Sequence, residues 1–286
     1  MRCSARLEPV WRSGLAVAGL FASVFTVLFV SLIPGMSTGV FYLVAGAGVT
    51  ACAIGLTWCV QRLVEGDPWS ALGLTFSRAS AGRMLRGTAA GLAVVVAADA
   101  LCVLAGAAEW DPDASLASVP AWLTVIVPSA LLVQAVPEEL WFRGYLFRHL
   151  RASLPLGAAV AITSVLFGML HLVSSGGTGA AAEKPLYVLQ AVAFGFMLAA
   201  CRIATGDLWL AVGFHAGYCM LNERLVTAGE GLVPVELLCL AAVLAGAALL
   251  TLRRSLRRVH RGPGALSAAP VERVPAEERT PAGSGV

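Results

Sequence analysis

The sequence predicts an all-α fold, a polytopic membrane bundle of about eight transmembrane helices, and three observations carry that prediction. Of 286 residues, 58% are hydrophobic and only 13% charged, and the mean hydropathy is +0.80. An ordinary soluble domain carries about 25% charged residues, so half the usual solvating charge is missing, and a chain of this size does not build a core large enough to hide the difference. The apolar residues fall in stretches of roughly 20, the length that crosses a hydrocarbon layer ~30 Å thick. The basic residues then segregate to one side of the resulting layout. A water-soluble enzyme, a nucleic-acid binder and a disordered chain are all excluded by this composition.

In chain order the spans are read at about 14–34, 39–61, 87–107, 120–141, 156–174, 186–204, 207–226 and 232–252. The first stretch is too long for a signal-peptide core and no small-residue cleavage site follows it, so it counts as a span. Residues 66–86 mix apolar and basic side chains and read as an interfacial or short amphipathic segment. From about residue 259 onward Pro, Ala, Glu, Arg and Gly dominate without apolar periodicity. Residues 1–258 are therefore one transmembrane domain without internal repeats, and 259–286 a disordered cytoplasmic tail whose first arginines sit on anionic lipid.

Charge placement tests the layout. Arg2, Arg6, Arg12, Arg62, Arg78, Arg83, Arg86, Arg143, Arg148, Arg151, Arg202 and the seven arginines from Arg253 to Arg279 share one side, eighteen of the twenty basic residues. The other side keeps Lys184, the only lysine, and Arg224, with Glu109, Asp111 and Asp113 in its third loop. The positive-inside rule then puts both termini in the cytoplasm, in a multi-pass protein of the cell membrane. An odd number of spans breaks the segregation. Seven scattered cysteines form no Cys-x-x-Cys pair, so neither a disulfide framework nor a cysteine zinc site is indicated.

Ionisable groups inside spans are expensive, and a functional site is their default reading. The candidates are Asp99, Glu138, Glu139, Arg143, His171 and His215. With Trp141 and Tyr145 beside it, Arg143 alone could mark a helix reaching the interface. The adjacent glutamates are harder to dismiss. Glu139 and Arg143 stand four apart and can pair on one helix face, which leaves Glu138 without a cation and suited to general-base chemistry in a desolvated site. Pro137 cannot donate to the Val133 carbonyl and should loosen the helix there, an irregularity tolerated at membrane depth where protein or a wet cavity surrounds it.

His171 ends Phe167-Gly168-Met169-Leu170-His171 in the fifth span. A lone histidine there could simply bond a backbone carbonyl. At 1.5 Å per residue, however, Glu138 and His171 lie about 20 and 22 Å from the turn joining their helices, at one level. His215 in the seventh span lies about 12 Å from that helix's cytoplasmic start, a looser fit. Gly213 and Gly217 flank it and allow close helix contact, or packing alone. Asp99 reads as structural or as lining a wet cavity. One carboxylate, two histidines and an arginine suit water activation, with His215 donating to an oxyanion. Alternatively, His171, His215 and a glutamate are candidate ligands for a catalytic zinc, although His-Glu-x-x-His is absent.

Here a family resemblance enters. Glu138-Glu139-Leu140-Trp141-Phe142-Arg143 resembles the Glu-Glu-x-x-x-Arg signature of the CAAX protease and bacteriocin-processing (CPBP, or Abi) family, and Phe167 to His171 resembles its Phe-x-x-x-His signature. His215 resembles the start of its third motif, and the motifs cover about 120–225. The resemblance implies an intramembrane endopeptidase acting on a membrane-associated protein or peptide. It implies Glu138 as base, His171 as its partner, Glu139 and Arg143 as supports, and His215 as oxyanion donor or metal ligand. Phe167 belongs to the second motif. The third motif usually continues His-x-x-x-Asn, whereas Cys219 stands here. A thiol is a weak donor, and Asn222 is two turns from His215; Cys219 could otherwise serve as a soft metal ligand. The Arg-over-Lys and Ala/Gly bias resembles high-GC bacterial coding, where peptide or signal-remnant processing, bacteriocin maturation or self-immunity is expected rather than a prenylated substrate. Two other readings stand behind the protease: a catalytically weak relative acting as a membrane scaffold, which Cys219 supports, and a proton-coupled transporter using Glu138 and Asp99. The transporter ranks last because inverted repeats and paired broken helices are not found.

Overall fold

The computed structural model describes residues 2–111, 119–174, 181–221, 226–228 and 232–261. It is a helical bundle. Helix α1 (Arg2–Val24) is followed by the short α2 (Thr26–Ser31), and α3 (Thr38–Cys59) continues as a π-helical stretch, Val60–Glu65. Next come α4 (Arg78–Leu104), α5 (Trp122–Ser153), α6 (Leu156–Leu170), α7 (Lys184–Thr205), α8 (Trp209–Met220) and α9 (Leu232–Arg261). Among the described residues, six helices are long and apolar enough to cross a membrane: Glu8–Ser31, Thr38–Glu65, Arg78–Leu104, Trp122–Ser153, Ala181–Thr205 and Val233–Arg257. The fifth and seventh apolar stretches form shorter helices, α6 with 15 residues and α8 with 12.

Several boundaries move. The third span begins at Arg78 rather than 87, because the Ser77 hydroxyl caps the helix by accepting the Ser80 N–H at 3.1 Å. The segment read as interfacial therefore shrinks to 66–77, a connection with one 3-10 turn at Trp69–Leu72 between left-handed Gly66 and Gly73. The fourth span runs on to Ser153, and the last helix continues to Arg261, past the expected start of the tail at 259. The tail expectation for 262–286 lies outside the described residues, as does Asn222. A feature the sequence reading did not contain is a two-stranded antiparallel ribbon, β1 (Ala108–Trp110) with β2 (Val226–Ala228), pairing Glu109 with Thr227. It closes over Cys102 near the end of α4, where Ala108 and Val226 bury a small apolar cluster.

Two features position the site. In α5, π-helical stretches at Trp122–Ile126, Ser129–Ala135 and Leu140–Leu146 interrupt the α-helix. The second ends just before Pro137, and there the Val136 N–H reaches five residues back to the Leu131 carbonyl. A proline removes an i→i−4 donor, and a longer loop of backbone takes up the mismatch; π turns of this kind often mark functional sites. The loosening expected at Pro137 thus takes the form of a π stretch on either side of Val136–Glu139. The second feature is glycine packing between α4 and α8. A Cβ added at Gly213 would collide with the Met84 carbonyl, and one at Gly217 with the Thr88 carbonyl. Gly87 and Gly91 meet the Leu210 and Phe214 carbonyls in the same way. Two small-x-x-x-small stripes therefore face each other, the arrangement that lets membrane helices touch backbone to backbone.

A polar clamp anchors the opposite flank of α5. Glu65 accepts two hydrogen bonds from Arg12, at 3.1 and 2.8 Å, and a third from the Tyr145 hydroxyl at 2.7 Å. His149 and Gln61 meet at 3.2 Å beside it. This joins α1, the end of α3 and α5. Trp141 packs against Gly19 of α1, with its indole N–H directed to the Ser23 hydroxyl at 3.4 Å.

Candidate active site

Glu138 and Glu139 sit in the single α-helical turn between two π stretches of α5. Consecutive residues point in different directions, and the two carboxylates have different fates. The Glu139 side chain is fully buried, whereas that of Glu138 keeps 21% of its surface. Glu139 pairs with Arg143 one turn later, at 3.1 Å between Nη1 and Oε1, and neither side chain is exposed at all. The reading of Arg143 as an interfacial residue therefore fails. Arg143, Trp141 and Tyr145 are enclosed by protein rather than turned to the membrane surface.

Arg143 is held on three sides. Its second terminal nitrogen donates to the Gly195 carbonyl of α7 at 3.0 Å. Gly195 lies against Ser164 of α6, an approach that a side chain would block. The guanidinium also lies 4.6 Å from the centroid of Phe167, a cation–π contact. One cation thus ties α5, α6 and α7 around Glu139.

His215 completes the cluster from α8. Its Nδ1 donates to Glu139 Oε1 at 3.0 Å, since a carboxylate can only accept. The other ring nitrogen, Nε2, faces Glu138 Oε2 at 3.8 Å. The result is a chain of alternating charge and ring: Arg143, Glu139, His215, Glu138. A buried carboxylate fixes the imidazole's orientation, and with Nδ1 donating to Glu139, Nε2 faces the more accessible Glu138, as a donor when the ring is protonated. The edges of Phe167 and Phe194 enclose the ring, at centroid distances of 6.1 and 5.0 Å.

His171 is placed differently from the expectation of three groups around one water. It caps the C-terminal end of α6, half-buried, and its Nδ1 donates to the Phe167 carbonyl at 2.9 Å. Among the described residues its ring neighbours are Phe167 at 5.0 Å and Tyr187 at 5.4 Å, and no hydrogen bond joins it to either glutamate. Equal depth along two helices fixes height, not direction. With Nδ1 carrying the proton, Nε2 is left as an acceptor. Phe167 stands between the two imidazoles and beneath Arg143. Asp99 is buried in α4, within electrostatic range of Tyr218 on α8.

Cys219, one turn beyond His215, directs its thiol to the side-chain oxygen of Gln134 at 3.6 Å. Gln134 is absent from the candidates drawn from the sequence. The signal was present: an amide four residues before Glu138, inside an apolar run. Gln190 and Tyr218 also pair across α7 and α8, at 2.9 Å.

Zinc was a candidate cofactor, with His171 and His215 as ligands. The donor set does not fit one. Among the described residues no three His, Cys, Asp or Glu side chains converge as ligands. A catalytic zinc needs three protein ligands at about 2.0–2.3 Å.

Residues 120–221, about a third of the chain, match the family described as type II CAAX prenyl endopeptidase, Rce1-like. No curated protein matches the chain in sequence. The matched segment begins just ahead of the π-interrupted α5 and ends one residue past α8, so it contains every residue of the Arg143–Glu139–His215–Glu138 chain and both His171 and Cys219. Over residues 120–221 the chain is thus similar to the Rce1-like family of type II CAAX prenyl endopeptidases, the family group to which the three motifs pointed.

Proposed function

We propose that this chain is an intramembrane endopeptidase that hydrolyses a peptide bond in a membrane-associated protein or peptide. The observation that carries the reading is the difference between the two glutamates. Glu139 is sealed, paired with Arg143 and spent on His215, while Glu138 is partly accessible and stands beside the free nitrogen of that imidazole. Only Glu138 can meet water.

In the proposed reaction Glu138 takes a proton from a water molecule, and the water oxygen attacks the scissile carbonyl. The carbonyl π electrons move onto oxygen, and His215 Nε2–H donates to that oxyanion. Collapse of the tetrahedral intermediate breaks the C–N bond, and Glu138 returns its proton to the departing amine. His171, with Nε2 free to accept, orients the water from the α6 side. Arg143 and Glu139 hold the His215 ring in place, and the ring donates from both nitrogens in its protonated form. No step passes through a metal, in accord with the donor geometry.

The layout supports eight membrane-crossing elements, with α6 and α8 as the two short ones. Both termini lie in the cytoplasm, a reading supported by the one-sided distribution of arginine. The cleavage site is reached from the cytoplasmic leaflet.

The test is cleavage of a membrane-anchored reporter by the purified full chain in detergent or liposomes, beside Glu138→Gln and His171→Ala. Removing a general base costs about 10²–10⁴-fold. Wild-type cleavage with a loss of that size in Glu138→Gln is the expected result. No cleavage by wild type favours the scaffold, and full activity in Glu138→Gln removes that residue from the mechanism.

A further inference from the structure

The third motif lacks its asparagine, yet the side-chain amide has a counterpart across the helix interface. Helices α5 and α8 run antiparallel beside the site. Stepping from Glu138 back to Gln134 on α5 and forward from His215 to Cys219 on α8 therefore moves in the same direction. The second pair meets as the first does: the Cys219 thiol donates to Gln134 Oε1 at 3.6 Å. Both side chains are half-buried, as Glu138 is. With its oxygen held by the thiol, the amide of Gln134 keeps its N–H₂ group without a hydrogen bond among the described residues. The thiol also lies within electrostatic range of the His215 ring and of Tyr187, which itself lies within range of Glu138.

We propose that Gln134 is a catalytic residue: its side-chain N–H₂ donates, together with His215 Nε2–H, to the oxyanion of the tetrahedral intermediate. Cys219 is its positioning residue, fixing the amide by a thiol hydrogen bond to Oε1. The residue type that position 219 lacks is thus supplied from α5, and the site keeps two donors. An amide N–H is a far better donor than a thiol, and a preorganised donor aimed at developing charge is worth about 10²–10³-fold in kcat. The assignment rests on the peptidase reading above.

Reporter cleavage by the full chain tests it with four variants: Gln134→Met, which keeps length and removes the amide; Gln134→Glu, which keeps shape and the acceptor but removes the donor; Cys219→Asn; and Gln134→Met with Cys219→Asn. Both single Gln134 variants are expected to lose about 10²–10³-fold in kcat, with KM changed less than about threefold. Cys219→Asn alone removes the positioning thiol but brings in a second amide, and is expected to lose less kcat than either Gln134 variant. The double variant is expected to recover to within about tenfold, because an amide at position 219 replaces the one removed; a purely structural role for Gln134 predicts no such rescue. Melting temperatures in the same detergent identify folded variants, and the isosteric Gln134→Glu serves where Gln134→Met does not fold. Retention of kcat in a folded Gln134 variant, or failure of the double variant to recover, overturns the assignment. Absence of cleavage by wild type overturns the peptidase reading itself, and the assignment with it.

Discussion

Removing the buried cation is the most direct test of how this site is held. In Arg143→Met the Glu139 carboxylate loses its partner at 3.1 Å, the Gly195 carbonyl loses a donor at 3.0 Å, and Phe167 loses the guanidinium over its ring. Neither Arg143 nor Glu139 has any exposed side-chain surface, so once the guanidinium is gone only the His215 Nδ1–H at 3.0 Å still meets the carboxylate unless the bundle opens. Breaking such a pair from one side costs about 3–5 kcal/mol, because a charge is left buried without its cation; the remaining His215 contact places Glu139 at the low end of that range. Replacing both partners removes that charge. Arg143→Met combined with Glu139→Gln is therefore expected to be less destabilised than Arg143→Met alone, with a coupling of at least about 2 kcal/mol in the double-mutant cycle. The measurement is denaturant unfolding of purified protein in micelles, across wild type, both single variants and the double variant. Arg143→Lys is informative as well. An ammonium cannot span Glu139 and the Gly195 carbonyl in the planar fork that a guanidinium provides, so lysine is expected to recover only part of the loss. A loss below about 1 kcal/mol in Arg143→Met, or additive effects in the cycle, refutes the argument that this pair ties the three helices together.

Three further outcomes are expected. Gly213→Leu, whose side chain would strike the Met84 carbonyl, pushes α8 off α4; it should lower the melting temperature and reduce cleavage at least tenfold, whereas Gly246→Ala, with open space around it, should leave both unchanged. Incubation with a strong zinc chelator should leave the cleavage rate within about twofold, since among the described residues no three ligand side chains converge; a loss restored by added zinc would overturn the metal-free route. In a cysteine-free background, Arg78→Cys should be shielded in intact cells from a membrane-impermeant thiol reagent and Ala182→Cys labelled by it; the reverse pattern would invert the orientation drawn from the arginines.

How much of this was readable beforehand depends on which physical quantity the residues encode. Apolar stretches announce themselves by length, and all eight correspond to helices, though α6 and α8 fall short of a full span. The Glu139–Arg143 pair follows from helical spacing alone, and it forms. Direction around a helix axis is harder. The calculation that put Glu138 and His171 at one level used only rise per residue, and the π stretches of α5 change which face later residues occupy. His215, the looser fit in that calculation, is the residue that touches both glutamates. Gly213 and Gly217 could be recognised as packing residues, but their partners Gly87 and Gly91 lie more than 120 residues away, and no local pattern joins them. Gln134 escaped because one amide in an apolar run has no partner in sequence; its meaning comes from Cys219 across the interface. The ribbon of three-residue strands is too short to leave a periodic trace.

The brevity of α6 and α8 carries a consequence for the surrounding lipid. At 1.5 Å per residue they are about 22 and 18 Å long, against a hydrocarbon thickness of ~30 Å. Long neighbours can tilt to match a bilayer, but a short element draws the headgroup boundary inward. On α6, whose Val165 and Met169 are exposed, such shortness is expected to thin the bilayer alongside. Under the peptidase reading proposed above, that thinning shortens the path of water to the half-buried Glu138.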